Sequence, residues 1–187
     1  MAEKLQIQFP VTAYLIGSKC IVYDYVQGSY LYCTGGYFGS PLGIKKPRGT
    51  YFEKPLELSL YEVLYLVEKE ILIVKNSEEK EINKEEIMNV GVNFDAQFSD
   101  KYEIYKDLRD KRYVVRPGQK FGTDFAVYIE GPGKDHSPFL VQVFPKNSVI
   151  SALDIVRAGR LATTVKKKFV IANAATLSYY VFNWKKP

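Results

Sequence analysis

Tyr-Val-Val-Arg-Pro-Gly-Gln-Lys-Phe-Gly-Thr-Asp-Phe-Ala-Val-Tyr (113–128) is the stretch on which the reading of this chain turns. Its β-branched and aromatic runs predict strands over 113–116 and 121–129. A loop follows that carries the only histidine of the chain, His136. Phe139 to Phe144 reads as the next strand. Ser151-Ala152-Leu153-Asp154 has the form of a capping box with Asp in place of Glu, so a helix is expected from there to about Lys166. Ala152, Ile155, Ala158, Gly159, Ala162 and Val165 give that helix a small-residue face suited to lying on a sheet, with Arg157, Arg160 and Thr164 on another side. Phe169–Ala172 and Ser178–Trp184 read as closing strands. Tyr128, His136 and the triplet Lys166-Lys167-Lys168 therefore come from a strand end, a loop and a helix end, from which polar groups can converge on one site.

Working back toward the N-terminus, Phe98, Tyr102, Tyr105 and Leu108 recur at helical spacing in a segment of alternating charge, predicting an amphipathic helix over 94–112. Val90-Gly91-Val92-Asn93 is expected to break the pattern before it, which sets the domains at 1–92 and 93–187. Ser59 and Glu62 form a capping box, and Leu60, Val63, Leu64 and Val67 then follow on one helical face. Ile71 to Val74 reads as a short strand, and Asn83 caps a second short helix through the Glu86 amide. Leu5–Phe9, Ala13–Ile16, Cys20–Tyr25 and Ser29–Cys33 are strand-like runs punctuated by Gly17-Ser18 and Gln27-Gly28, as in an antiparallel meander. The fold class expected is α+β: a small N-terminal antiparallel strand-and-helix domain followed by a C-terminal mixed-sheet α/β domain.

Among 187 residues, 47% are apolar and 25% charged, a balance that suits a folded globule rather than a disordered chain. The net charge of +5 is modest, but the cations are grouped: Lys45, Lys46 and Arg48, then Lys166 to Lys168, then Lys185 and Lys186. Such groups suit a polyanionic partner, and equally a solvated basic face. The first basic group sits in Gly35–Gly49, whose five glycines and two prolines exclude a regular element interior. That segment reads either as a surface connection or as a basic finger meeting phosphates. Cys20 and Cys33 have no metal-ligand spacing and are expected to be reduced. No apolar run approaches the ~18 residues of a membrane span, and the N-terminus lacks the apolar core of a signal peptide, so a cytoplasmic protein with no membrane partner is expected.

Taken singly, His136 reads as a solvated loop residue, Tyr128 as a packing residue and the lysines as complements to a helix C-terminus. Together they meet the needs of RNA cleavage by its own 2′-hydroxyl. That reaction requires a base, an acid for the departing 5′-oxygen, and a cation for charge accumulating on the phosphate. Histidine titrates near neutrality, and tyrosine, with a free pKa of about 10, acts as a base only beside cations. No metal or other cofactor is called for. The residues alone do not separate Lys166, Lys167 and Lys168.

Phe-Gly-Thr-Asp-Phe-Ala-Val-Tyr (121–128), His136-Ser137 and Arg-Leu-Ala-Thr-Thr-Val-Lys-Lys (160–167) resemble the archaeal tRNA-splicing endonucleases. The likeness covers nearly the whole chain and is strongest over 113–172. It implies a metal-independent nuclease that excises introns from precursor tRNA at bulge-helix-bulge sites, leaving 2′,3′-cyclic phosphate and 5′-hydroxyl ends. It also implies Tyr128 as general base, His136 as general acid and Lys167 as transition-state stabiliser. Arg160 matches a family arginine that sandwiches a flipped-out bulge base with a second planar residue, a place Trp184 can fill. Lys45 and Lys46 lie in a loop resembling an insertion of crenarchaeal members, and are expected to bind substrate. Homotetrameric members carry an acidic loop before the last strand, whereas Asn173-Ala174-Ala175-Thr176 has no acid. A catalytic subunit working with a second, structural subunit in a heterotetramer is therefore expected. The alternatives are a non-catalytic structural subunit, which should lack one of the three catalytic residues, and a basic RNA-binding domain that does not cleave.

Overall fold

The computed structural model describes residues 7–45, 47, 49–134, 139–165 and 167–182. The chain folds into two compact units, Met1–Ala96 and Gln97–Pro187.

The first unit is built on a five-stranded sheet in the order β3-β4-β2-β1-β5. β1 (Val11–Ile16) and β2 (Lys19–Val22) form an antiparallel hairpin, with Gly17 at φ 63° turning the corner. β3 (Ser40–Pro41) and β4 (Leu56–Leu58) extend it, and β5 (Leu72–Lys75) pairs with β1 in parallel, so the sheet is mixed. The expected meander differs at two of its runs. Residues 7–9, the described part of the Leu5–Phe9 run, lie outside any strand. Ser29–Cys33 lies in a helix, α1 (Tyr25–Cys33), because the Asp24 carboxylate accepts bonds from the Val26 and Gln27 amides and starts a helical turn. A Cβ on Gly28 would come within 3.1 Å of the Leu56 Cβ, so glycine lets α1 lie close to β4.

The capping boxes form as expected. Ser59 and Glu62 open α2 (Leu60–Glu68), and Asn83 and Glu86 open α3 (Lys84–Phe94). Glu62 is almost fully buried and also accepts from the Gly39 amide at 2.9 Å, so one carboxylate ties the cap to the preceding loop. Val90–Asn93 does not break the pattern, as α3 runs through it to Phe94. Gly91 and Ile87 are buried, and packing of this face against α2 outweighs the weak helix propensity of glycine and valine. Cys20 and Cys33 are both free thiols.

The second unit holds a five-stranded sheet in the order β10-β9-β8-β7-β6. β6 (Val114–Pro117), β7 (Phe125–Tyr128) and β8 (Phe139–Phe144) are successively antiparallel. β9 (Lys168–Asn173) joins β8 in parallel after the crossover helix α5 (Ala152–Val165), and β10 (Ser178–Phe182) closes the sheet antiparallel at its edge. α4 (Phe98–Asp110) covers one face with Phe98, Tyr102, Ile104, Tyr105 and Leu108, and Tyr105 meets Phe125 at a ring separation of 5.8 Å. The buried Arg109 donates to the Tyr105 hydroxyl at 2.9 Å and to the Val115 carbonyl at 3.1 Å, fixing α4 to β6.

On the other face Ala126, Leu140, Phe169 and Ile171 form a cluster on which Ile150 and Leu161 pack. Helix α5 is capped by Ser151 and Asp154 as expected. At its first turn the expected contact face is open: Ala152 is exposed and Ile155 is 43% exposed. Leu161 meets the sheet instead, and a cavity of about 440 Å³ lies on this side, lined in part by Asp154, Arg157 and Leu161.

Candidate active site

Strand register brings two of the expected site residues to one end of the second sheet. Val127 pairs with Phe139, and Phe139 pairs with Lys168. Tyr128, one residue past Val127, and Lys167, one residue before Lys168, therefore flank the same end of three neighbouring strands, two strand spacings or about 10 Å apart. The β7–β8 connection leaves from that end and carries His136, which lies outside the described residues.

Faces then separate the lysines. Tyr128 packs with Phe121 against the Ala126–Leu140–Phe169–Ile171 cluster, on the α5 side. The Lys167 ammonium stands 5.5 Å from the centre of the Phe121 ring, on that same side. Lys168 instead lies over Phe139, 5.7 Å away, and Phe139 lines an apolar groove of about 270 Å³ on the α4 face. Successive strand residues face opposite ways, so neighbours in the triplet serve different surfaces. Lys166 lies outside the described residues.

Phe121 lies in a tight turn. Gln119–Phe121 form a short 3-10 turn between β6 and β7, closed by Phe121 N–H to the Gly118 carbonyl at 2.8 Å and Gly122 N–H to Gln119 at 3.0 Å. A Cβ on Gly118 would sit 2.5 Å from the Thr123 hydroxyl and 2.7 Å from the Phe125 nitrogen, so only glycine fits there. At the far end of the turn the Asp124 carboxylate accepts from the Gln142 side chain (2.6 Å), the Val143 amide (2.8 Å) and the Lys101 ammonium (3.0 Å). Lys120 stands 5.9 Å from the Phe121 ring centre, so two ammonium groups neighbour one ring. Phe121 and Asp124 are positions in this turn that the sequence did not single out. The signal was the pair of glycines flanking the run, which marks a tight turn.

The remaining expected residues fall elsewhere. Arg160 is exposed on α5, and Lys45 is exposed in the Gly-rich loop of the first unit. Lys46 and Trp184 lie outside the described residues. Tyr179 donates to Asp107, which also takes the Lys111 ammonium at 2.5 Å, and this pins β10 to α4. Burial, with the bonded Asp107 carboxylate, pushes the Tyr179 hydroxyl up, so it stays protonated and keeps donating. Among the described residues no group of three or more His, Cys, Asp or Glu side chains is placed to hold a metal ion, and no helix is long and apolar enough to cross a membrane.

Residues 98–177 match the tRNA intron endonuclease catalytic C-terminal domain, and residues 11–88 match the tRNA intron endonuclease N-terminal domain. A tRNA-splicing endonuclease of Hyperthermus butylicus is 43% identical over 181 residues, 95% of this chain and 99% of that protein. The chain belongs to the tRNA intron endonuclease family. Two further tRNA-splicing endonucleases, from Saccharolobus solfataricus and Saccharolobus islandicus (strain M.14.25), are 38% and 34% identical, each over 94% of this chain and 99% of its own length. The end of the sheet holding Tyr128 and Lys167 thus lies in the catalytic domain of a tRNA intron endonuclease, and the chain is an enzyme of that class.

Proposed function

We propose that this chain is the catalytic subunit of an endonuclease that excises introns from precursor tRNA at bulge-helix-bulge sites. In this reading Tyr128 takes the proton of the 2′-hydroxyl, which attacks the adjacent phosphorus. His136 gives a proton to the departing 5′-oxygen, and Lys167 meets the charge growing on the phosphate oxygens. The products are a 2′,3′-cyclic phosphate and a 5′-hydroxyl, and no step calls for a metal ion. The observation that carries the reading is the convergence of Tyr128, Lys167 and the His136-bearing connection at one end of the sheet.

Arg160 and Trp184 are proposed to stack on a flipped-out bulge base at the active site of another subunit, and Lys45 and Lys46 to hold RNA phosphates. The β9–β10 turn holds no acid to dock into another copy of this chain, which supports a heterotetramer completed by a structural subunit. Tyr180 and Val181, 53% and 50% exposed on the edge strand, favour burial of β10 against another subunit. The cytoplasm is the setting that precursor tRNA processing implies. The test is cleavage of a bulge-helix-bulge RNA in EDTA by the chain, alone and with a candidate structural subunit. Cyclic phosphate ends, lost in His136→Ala, are expected. RNA binding without cleavage in any folded assembly overturns the catalytic reading and favours a structural subunit.

A further inference from the structure

Phe121 is held by its packing and by the anchoring of its turn. It packs on the same apolar cluster as Tyr128, its turn is closed at Gly118, and Asp124 anchors the turn to β8 and α4. Lys167, by contrast, sits on a bend between α5 and β9, on a side chain with several rotatable bonds. An ammonium within about 6 Å of an aromatic centre is drawn to the negative face of the ring. A carboxylate in that place would also orient the lysine, but it would neutralise the charge and compete with phosphate. An aromatic ring can orient an ammonium without neutralising it.

We propose that Phe121 is a positioning residue for Lys167, its ring face holding the ammonium where the scissile phosphate arrives. The proposal rests on the reading of Lys167 as the phosphate-stabilising group. Phe121 itself touches no reacting atom.

The test is single-turnover cleavage of a bulge-helix-bulge RNA in EDTA, in the assembly in which the wild-type chain cleaves, with RNA affinity measured separately. Phe121→Leu is expected to slow cleavage about tenfold with affinity changed by less than about twofold. Phe121→Tyr keeps the π face and is expected to stay within about twofold of wild type. Replacing the ring by its pentafluoro analogue keeps the shape and inverts the ring's charge distribution. That variant is expected to match Phe121→Leu, and it carries the test where the leucine variant folds poorly. On a Lys167→Ala background, Phe121→Leu is expected to cost nothing further, since no ammonium remains to be placed. Full rate in the pentafluoro variant, or an equal loss from Phe121→Leu with and without Lys167, overturns the inference while the reading of Lys167 stands. Full rate in Lys167→Ala overturns that reading, and the inference with it.

Discussion

Lys167 and Lys168 are adjacent in the chain, yet one stands over Phe121 and the other over Phe139, on opposite faces of the sheet. Their substitutions should therefore part company. Lys167→Ala, Tyr128→Phe and His136→Ala are each expected to slow single-turnover cleavage by about a hundredfold or more. Lys168→Ala is expected to leave the rate within about threefold, on the same assay. A second residue-scale expectation concerns the thiols. Burial in β2 pushes the Cys20 thiol up to about 12, and partial burial also raises Cys33. Thiolate is the reactive form. Treatment of the folded protein with iodoacetamide at pH 8 should leave Cys20 unmodified by mass spectrometry and Cys33 slow to react, with both labelled in denaturant.

At the scale of elements, the turn between β6 and β7 has no room for a side chain at Gly118. Gly118→Ala is expected to cost about 1–3 kcal/mol, read as a lowered midpoint in urea, and to slow cleavage as well because Phe121 moves with the turn. The start of α5 gives a pH-dependent expectation. The Ser151 hydroxyl and then its amide hold the Asp154 carboxyl below its ordinary 3.8, with Arg157 contributing less. A carboxyl lowered by folding adds stability above its unfolded value and loses it as pH falls through the folded one. Wild type should therefore lose part of its thermal stability below about pH 3.8, and Asp154→Asn should be less stable at pH 6 but lose less on acidification. A thermal scan of both proteins at pH 6 and pH 2.5 reads the difference.

At the scale of the whole molecule, β10 is the exposed edge of the second sheet, and Tyr179 pins it through Asp107 and Lys111. An edge strand that carries half-exposed Tyr180 and Val181 is a template for another strand. The proposed heterotetramer predicts that the chain alone does not cleave and that adding the structural subunit restores activity. Val181→Lys should then block assembly without unfolding the chain. Analytical ultracentrifugation and circular dichroism check the two halves of that statement, and an active homotetramer of this chain overturns it.

Local chemistry was legible in the sequence. Ser59, Asn83 and Ser151 each announced a helix start because a cap needs only a side chain and an amide three residues away. The burial of Phe98, Tyr102, Tyr105 and Leu108 followed from their spacing, as one face of a helix must be covered. Most strands of the second sheet were legible for the same reason, since alternation and run length are properties of the chain, but the strand expected over 121–129 narrowed to Phe125–Tyr128 because Gln119–Phe121 close into a 3-10 turn. What packing decides was not. Ser29–Cys33 has strand-like composition but lies in α1, which starts at the Asp24 cap and in which Gly28 comes close to Leu56. Val90–Asn93 stayed helical within α3, which packs on α2 and buries Ile87 and Gly91. By itself the sequence determined which residue types are available and which segments take regular form. Only tertiary structure decided that Lys167 rather than Lys168 shares a face with Tyr128, and that Phe121 lies beneath it. Those relations depend on strand register and on a turn anchored by β8 and α4, contacts between segments far apart in the chain.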